Sequence, residues 1–142
     1  MTANAWIFHD EFKEFMGDNT IDMDNDNFEM RLYTSASNIQ DTAVGDATTA
    51  TNEVSGNGYA SDTLVTTWTR VTGTVTWDSD DGAFTASGGS ITARAAAVID
   101  TTTTPDQVVC HSLLDNTPED VTVTDGNTLT TQINALGIGA LT

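Results

Sequence analysis

The sequence has one cysteine, one lysine and two prolines in 142 residues. A single thiol, Cys110, allows no intrachain disulfide. It lies in the apolar run DQVVCHSLL, where a small core residue is expected rather than a reactive group. The bases are Lys13, Arg31, Arg70 and Arg94, set against 21 acids. So few cations cannot neutralise a run of phosphates, so nucleic acid is not an expected partner. Nor is a membrane: an anionic surface repels the chain, and no run reaches the ~20 apolar residues of a span. The N-terminus lacks the basic-then-apolar order of a secretory signal. Two histidines and one cysteine make a poor zinc set. SGNGY and SGGS lack the lysine or following helix of a phosphate loop. Neither a metal nor a cofactor is expected.

What is present is acid, 16 Asp and five Glu, for a formal net charge of −17. Self-repulsion at that charge opposes the compact state in dilute salt. At molar salt the Debye length falls to ~3 Å and most of the repulsion is screened. An Asp-rich, nearly Lys-free surface therefore reads as halophilic, with a soluble acidic protein from an ordinary host as the alternative. Hydrophobic content of 38% and aromatic content of 7% are low for a globular domain but too high for disorder. The length suits one domain with a real core. Thr is the commonest residue, with 27 copies, and Thr, Val and Ala dominate the second half, which favours strands.

Asn4 is placed to cap a first helix. Phe8, Phe12, Phe15 and Met16 follow as one apolar stripe, and Gly17 is its stop. Such a helix is marginal alone and must pack its stripe on something. The pattern then changes to period two: FEMRLYTS puts Phe28, Met30 and Leu32 on one face and Glu29, Arg31 and Tyr33 on the other. Residues 35–60 are polar, small and weakly patterned, and a loop of that length is either functional or an arm. Leu64 to Arg70 and Thr74 to Trp77 read as strands separated at Gly73, and Asp78 to Gly82 as a turn. Phe84 to Ala86 and Val108 to Leu114 read as further strands, and Ile91 to Asp100 as one covered on both faces. Asp125-Gly126, between VTVT and TLTTQINAL, is a hairpin signal. These elements predict a mainly β fold: an antiparallel β-sandwich, jelly-roll-like, with a short N-terminal helix. It forms a single domain over 1–142, with a helical segment at 1–17, a long loop at 35–60 and the main β region at 61–142.

Asp22, Asp24 and Asp26 in IDMDNDNFEM stand two apart, like the opening of a calcium loop. That loop needs Gly at position 6 and an acidic ligand at position 12. Asn27 and Tyr33 occupy those places, so a polar turn feeding a strand is expected. Counted from Asp78, Gly82 falls at position 5 and Gly89 at position 12, and that motif fails too. His9 and Asp10 are adjacent on the expected helix and point about 100° apart. Cys110 and His111 are adjacent on a strand and point to opposite faces. Neither pair makes a dyad, nothing nominates a remote partner, and no catalytic residue or enzymatic activity is expected. Trp6, Trp68 and Trp77 serve either as core or interface anchors or as a carbohydrate platform.

Four stretches occur in order over most of the chain: FKEFMGDNTIDMDNDNFEMRLYTS, NEVSGNGYAS, VTWDSDDGAFTASGGSITARAAAVID and TDGNTLTTQINALGI. Together they resemble a family of small structural proteins of tailed viruses of bacteria and archaea, the capsid decoration or cement proteins. The resemblance implies a virion protein on the outer capsid surface that bridges subunits of the major capsid protein. It implies a homo-trimer at threefold positions, or a dimer at twofolds, and it transfers no catalytic residues. The acidity departs from the mixed charge expected of the family, which fits a virus of a salt-loving, haloarchaeal host. The expected capsid or subunit contacts are Trp6, Phe8, Phe12 and Phe15, with Trp68 and Trp77, and the loop from Ser35 to Gly58. Packing of the aromatic helix on its own sandwich competes with that expectation. The alternative function is a head fibre, turret or tail component that binds host glycans, which requires Trp68 or Trp77 to be accessible.

The charge balance makes salt a stability variable. The melting temperature should climb between about 0.1 and about 3 M KCl, by roughly 2–4 °C for each kcal/mol of repulsion screened. A melting temperature indifferent to salt would contradict adaptation to brine.

Overall fold

The computed structural model describes residues 4–142. In chain order the elements are β1 (Ile7–Phe8), α1 (Asp10–Gly17), β2 (Phe28–Tyr33), β3 (Asp62–Leu64), β4 (Thr66–Val71), β5 (Thr74–Ser79) and β6 (Gly82–Thr85). They continue with β7 (Ile91–Ala93), β8 (Ala95–Asp100), β9 (Gln107–Leu113), β10 (Val121–Val123), β11 (Thr128–Thr131) and β12 (Gly139–Leu141). The largest sheet has five strands in the order β1-β9-β8-β2-β3. A second has three, β12-β5-β4, and the pairs β10-β7 and β11-β6 stand as separate ladders. Every pairing is antiparallel. The fold is mainly β and sandwich-like, with one short helix among the described residues, as the sequence pattern predicts.

The helix is shorter than the apolar stripe suggests. It starts at Asp10, with His9 extended at its N-cap and no side-chain capping bond. Ile7 and Phe8 instead pair with His111 and Cys110 of β9. The Asn4 amide donates to the Leu113 carbonyl at 3.0 Å, and the Ser112 hydroxyl donates to the Asn4 carbonyl at 2.7 Å. An open sheet edge thus captures the residues expected to form the first helical turns, and ladder bonds replace the Asn4 cap. The first three residues of the 1–17 segment lie outside those described. Phe12 is buried, and Phe15 and Met16 pack half-buried against the core.

Strand β8 is buried at every position, as the sequence predicts, and β9 at all but its last. On one side Phe28, Met30, Leu32, Ala96, Val98 and Cys110 meet the smaller ladders, which contribute Trp77, Phe84, Ile91 and Leu129. On the other side Tyr33, Ala95, Ala97, Ile99 and Val108 are covered by Ile39 and Val44 from the long loop. The loop is therefore a third layer of the domain, stitched down by backbone bonds. Ala47 donates to the Asp106 carbonyl at 2.8 Å, Val108 to Gly45 at 2.8 Å, Val54 to Leu32 at 2.8 Å and Thr34 to Asn52 at 3.1 Å. Its polar residues close their own turns. The Asn38 side chain accepts from the Thr51 amide and donates to the Thr49 carbonyl, and Asp46 accepts from the amides of Thr48 and Thr49.

Two local readings are corrected. The Asp125-Gly126 turn does not fold a hairpin: β10 pairs with β7, and β11 with β6. Residues 82–85 pair with 128–131 and residues 91–93 with 121–123, and between the two ladders the Ala86 amide donates to the Asn127 carbonyl at 2.9 Å. The Asp-Gly pair makes a corner because β6 and β7 already offer a partner on each side of it. Ile91 to Asp100 is also broken, at Arg94. The Arg94 amide donates to the Tyr33 carbonyl and its carbonyl accepts from Leu114, so the chain passes from the β10 ladder into the main sheet.

The β4–β5 connection is a true hairpin, with Thr72 and Gly73 at φ 48° and 85° between the paired Val71 and Thr74. Two positive φ values mark a type I′ turn, which suits glycine and asparagine. A β-branched residue there is strained by about 1–2 kcal/mol. Thr72→Asn should therefore stabilise the protein by about 1 kcal/mol in urea unfolding, with unchanged slope. Equal or lower stability would count against a strained turn.

Candidate functional site

Four of the six aromatic residues named from the sequence converge. Phe8 stacks on Phe12 with ring centroids 5.2 Å apart and lies 6.4 Å from Trp77, which meets Phe28 edge-on at 5.1 Å. Trp68 pairs across the β4–β5 ladder with Trp77. Together with Met16 and Met23 they line an almost wholly apolar groove of about 140 Å³, bordered by Lys13 and by Gly139 to Leu141 of β12. Gly139 is required here, because a Cβ would sit 2.5 Å from the Phe8 ring. Trp77 and Phe12 form the floor at 1% and 4% exposure, while Phe8, Trp68 and Met16 are half-buried. Phe15 packs on the same core away from the groove. Trp6 lies elsewhere, in a more polar cleft of about 680 Å³ with Ser112, Leu129, Thr131, Ile133 and Leu136. The six residues are therefore not one surface, and the structure gives Trp77 and Phe12 to the core.

The chain also brings together two histidines that adjacency reasoning left unpaired. The His9 Nε2 and His111 Nδ1 atoms lie 2.9 Å apart, and His9 Nδ1 lies 2.6 Å from the Val44 carbonyl. That carbonyl can only accept, so His9 Nδ1 carries a proton and His9 Nε2 accepts from Nδ1–H of His111. Both rings are buried, at 0% and 2% exposure. Burial lowers the pKa of each: His111 falls to about 4 through burial and then the neighbouring His9. His9 falls less, because the Val44 carbonyl, Asp10 and Asp41 oppose its desolvation. The pair fastens three segments: the N-terminal strand, the central sheet and the loop layer. Cys110, beside His111, is fully buried in the opposite core and its thiol is pushed up by burial. It makes no dyad with His111.

The aspartates that suggested cation loops are occupied by backbone. The Asp22 carboxylate accepts from the Asp24 amide and the Asn25 side chain, and Asp26 accepts from the Asp22 amide at 2.7 Å. Asp80 accepts from the Val65 amide at 2.7 Å and Asp81 from the Ile133 amide at 2.8 Å. Among the described residues no three His, Cys, Asp or Glu side chains form a cluster suited to a metal. No helix there is long and apolar enough to cross a membrane. Asp100 is different. It is fully buried, accepts from the Thr102 amide at 2.7 Å, and keeps one oxygen without a partner. Burial, then the Asp26 carboxylate beside it, raises its pKa to about 6.

Sequence reasoning named Phe8, Phe12, Trp68 and Trp77 of the groove through their size, but not Met23 or the β12 residues beside them. It missed the histidine pair because 102 residues separate the partners. The available signal was His111 itself: a histidine inside a strand buried on both faces must find a polar partner. Compared with family models, curated proteins and solved structures, the chain matches none.

The buried groups give pH signatures of opposite sign. A histidine whose folded pKa is depressed stays neutral while the unfolded chain takes up protons. The stability of the pair is thus complete above about pH 6.5 and lost as the pH falls toward 4, by about 2–3 kcal/mol for His111. Asp100, raised from 3.8 to about 6, carries a penalty that grows as the pH rises through that window. Asp100→Asn keeps the acceptor for Thr102 and turns a donor toward Asp26. It should stabilise the protein by about 1–2 kcal/mol at pH 8 and leave a stability curve that rises steadily from pH 4 to pH 6.5. A variant less stable than wild type at pH 8 would contradict this assignment.

Proposed function

We propose that this chain is a structural virion protein that decorates the outer surface of a tailed-virus capsid and stabilises it by bridging major capsid protein subunits. The reading starts from the four ordered stretches that resemble decoration proteins. The structural observation that carries it is the aromatic groove. It is apolar on nearly every side, opens to the surface of a strongly acidic molecule, and holds no converging polar groups of the kind that orient a substrate. Such a slot suits insertion of an apolar side chain from a neighbouring capsid subunit. Half-buried Phe8, Trp68 and Met16 then form its rim, and Phe12 and Trp77 its rigid floor. One groove buries little area, but a lattice repeats the contact many times, and subunits that bind together gain avidity. The acidity suits a capsid exposed to molar salt, where the surface charge is screened and still favours solubility.

A glycan-binding head fibre or tail component is less well supported. Sugar platforms use the open face of a tryptophan, whereas Trp77 is 1% exposed and Trp68 lies half-buried beside Phe8 and Phe12.

Particles of the encoding virus test the reading. Quantitative mass spectrometry of purified virions should find this chain in fixed ratio to the major capsid protein, at hundreds of copies. Heads stripped of it should rebind the recombinant protein and survive heat or low salt better. Met16→Glu, which places a charge on the groove rim, should weaken that rebinding at least about tenfold. A handful of copies per virion, or rebinding indifferent to Met16→Glu, would overturn it.

A further inference from the structure

Strand β4 has a hydrogen-bonded neighbour on one side only. Val65 directs both its amide and its carbonyl toward Asp80, at 2.7 and 3.3 Å. In the alternation of an antiparallel ladder, Thr67, Thr69 and Val71 therefore also point their peptide groups at β5. Thr66, Trp68 and Arg70 point theirs outward. Natural edge strands are guarded by proline, lysine, a bulge or a covering loop. The stretch from Thr63 to Trp77 has no proline, no lysine and no acid. Its open face instead shows Val65 and Val71, at 69% and 67% exposure.

These features have a centre. Val65 and Val71 stand three residues either side of Trp68, on the face opposite to it. We propose that two copies of this chain join through β4, antiparallel, about a two-fold axis at Trp68. In that register Val65 of each copy lies against Val71 of the other, so the exposed valines cover one another. Trp68 lies opposite its equivalent, and Arg70 opposite Thr66. The outward peptide groups coincide as well. Thr66 with Arg70, Trp68 with Trp68, and Arg70 with Thr66 are the hydrogen-bonding pairs, with two bonds each. A slip of two residues separates both valine pairs, and a slip of one turns the faces over.

Charge permits a second copy at this edge. A chain of net charge −17 can approach its own kind only where its acids are missing. The β4 strand itself carries none; the nearest, Asp78 and Asp80, lie one strand back, opposite Thr67 and Val65, and are screened at molar salt. Its Arg70 has no ion-pair partner among the described residues, whereas Lys13, Arg31 and Arg94 each hold an aspartate. This association does not depend on the decoration role, because it is read on the isolated protein in solution.

Light scattering after gel filtration in about 2 M KCl, where screening is nearly complete, should give twice the 15.0 kDa chain mass. Val71→Glu, at an exposed position, should raise the dimer dissociation constant at least about tenfold with an unchanged melting temperature. Register is read by cross-linking. Thr67 and Thr69 of opposite copies form a close, non-hydrogen-bonded pair with Cα atoms about 4.5 Å apart, within disulfide reach. An equimolar mixture of Thr67→Cys and Thr69→Cys proteins should oxidise to a covalent dimer, while neither variant alone should. Cys110 is buried and does not compete. A monomeric mass up to about 0.5 mM, a dimer indifferent to Val71→Glu, or cross-linking of a single variant with itself would overturn the proposal. Should Val71→Glu lower the melting temperature, the cysteine mixture decides alone.

Discussion

The closure of two layers over strand β8 is the contact on which the other features depend. Ala95, Ala96 and Ala97 give this strand almost no side-chain height, so the smaller ladders and the loop layer approach it closely from both sides. A strand covered twice leaves no wet face for polar groups, and every polar residue nearby has to be provided for inside. His111 is met by His9, and Ser112 by the Asn4 carbonyl. Asp100 is only partly provided for and keeps an unpartnered oxygen. The N-terminal strand and the loop are thus held by the same requirement, which makes them parts of the core rather than appendages.

The acids contribute to this construction as well as to the surface. With one lysine in the chain, most carboxylates have no cation to pair with. Asp46, Asp80, Asp81 and Asp62 accept instead from backbone amides, and so close turns or tie neighbouring segments together. The Asn25 side chain and the Thr48 hydroxyl, with backbone amides beside them, hold Asp22 and Asp46 below the usual carboxylate range. An Asp-rich composition therefore serves two ends: charge for solubility and short acceptors for irregular backbone. Aspartate does the second better than glutamate, because its carboxylate reaches an amide two residues on.

Much of the β architecture was legible in the sequence. Alternation marked β2, the small-apolar run marked β8 as covered on both faces, and Gly73 marked the break between β4 and β5. What stayed hidden required knowledge of partners. Asp125-Gly126 has the chemistry of a hairpin turn, but β6 and β7 had already claimed the flanking strands. The stripe from Phe8 to Met16 has helical spacing, but the edge of β9 draws Ile7 and Phe8 into a ladder. The loop lacks periodicity because it is anchored by isolated residues, Ile39 and Val44, between turns closed by Ser37, Asp41 and Asp46. An Asp or Ser two residues before an amide it can cap was a readable signal of order in that stretch. The groove was half legible: its aromatic members stood out, but which of them the core would claim did not.

The loop layer and the main sheet form one cooperative unit, tied by the backbone bonds of Ala47, Val54 and Val108. Native-state hydrogen exchange in rising denaturant tests this directly. The amides of Ala47, Val54 and Val108, which tie the loop to the sheet, should exchange only through global unfolding, at the same free energy as Val98 in β8. If Ala47 and Val54 exchanged through a local opening while Val98 stayed protected, the loop would be a separable flap and the account would be wrong.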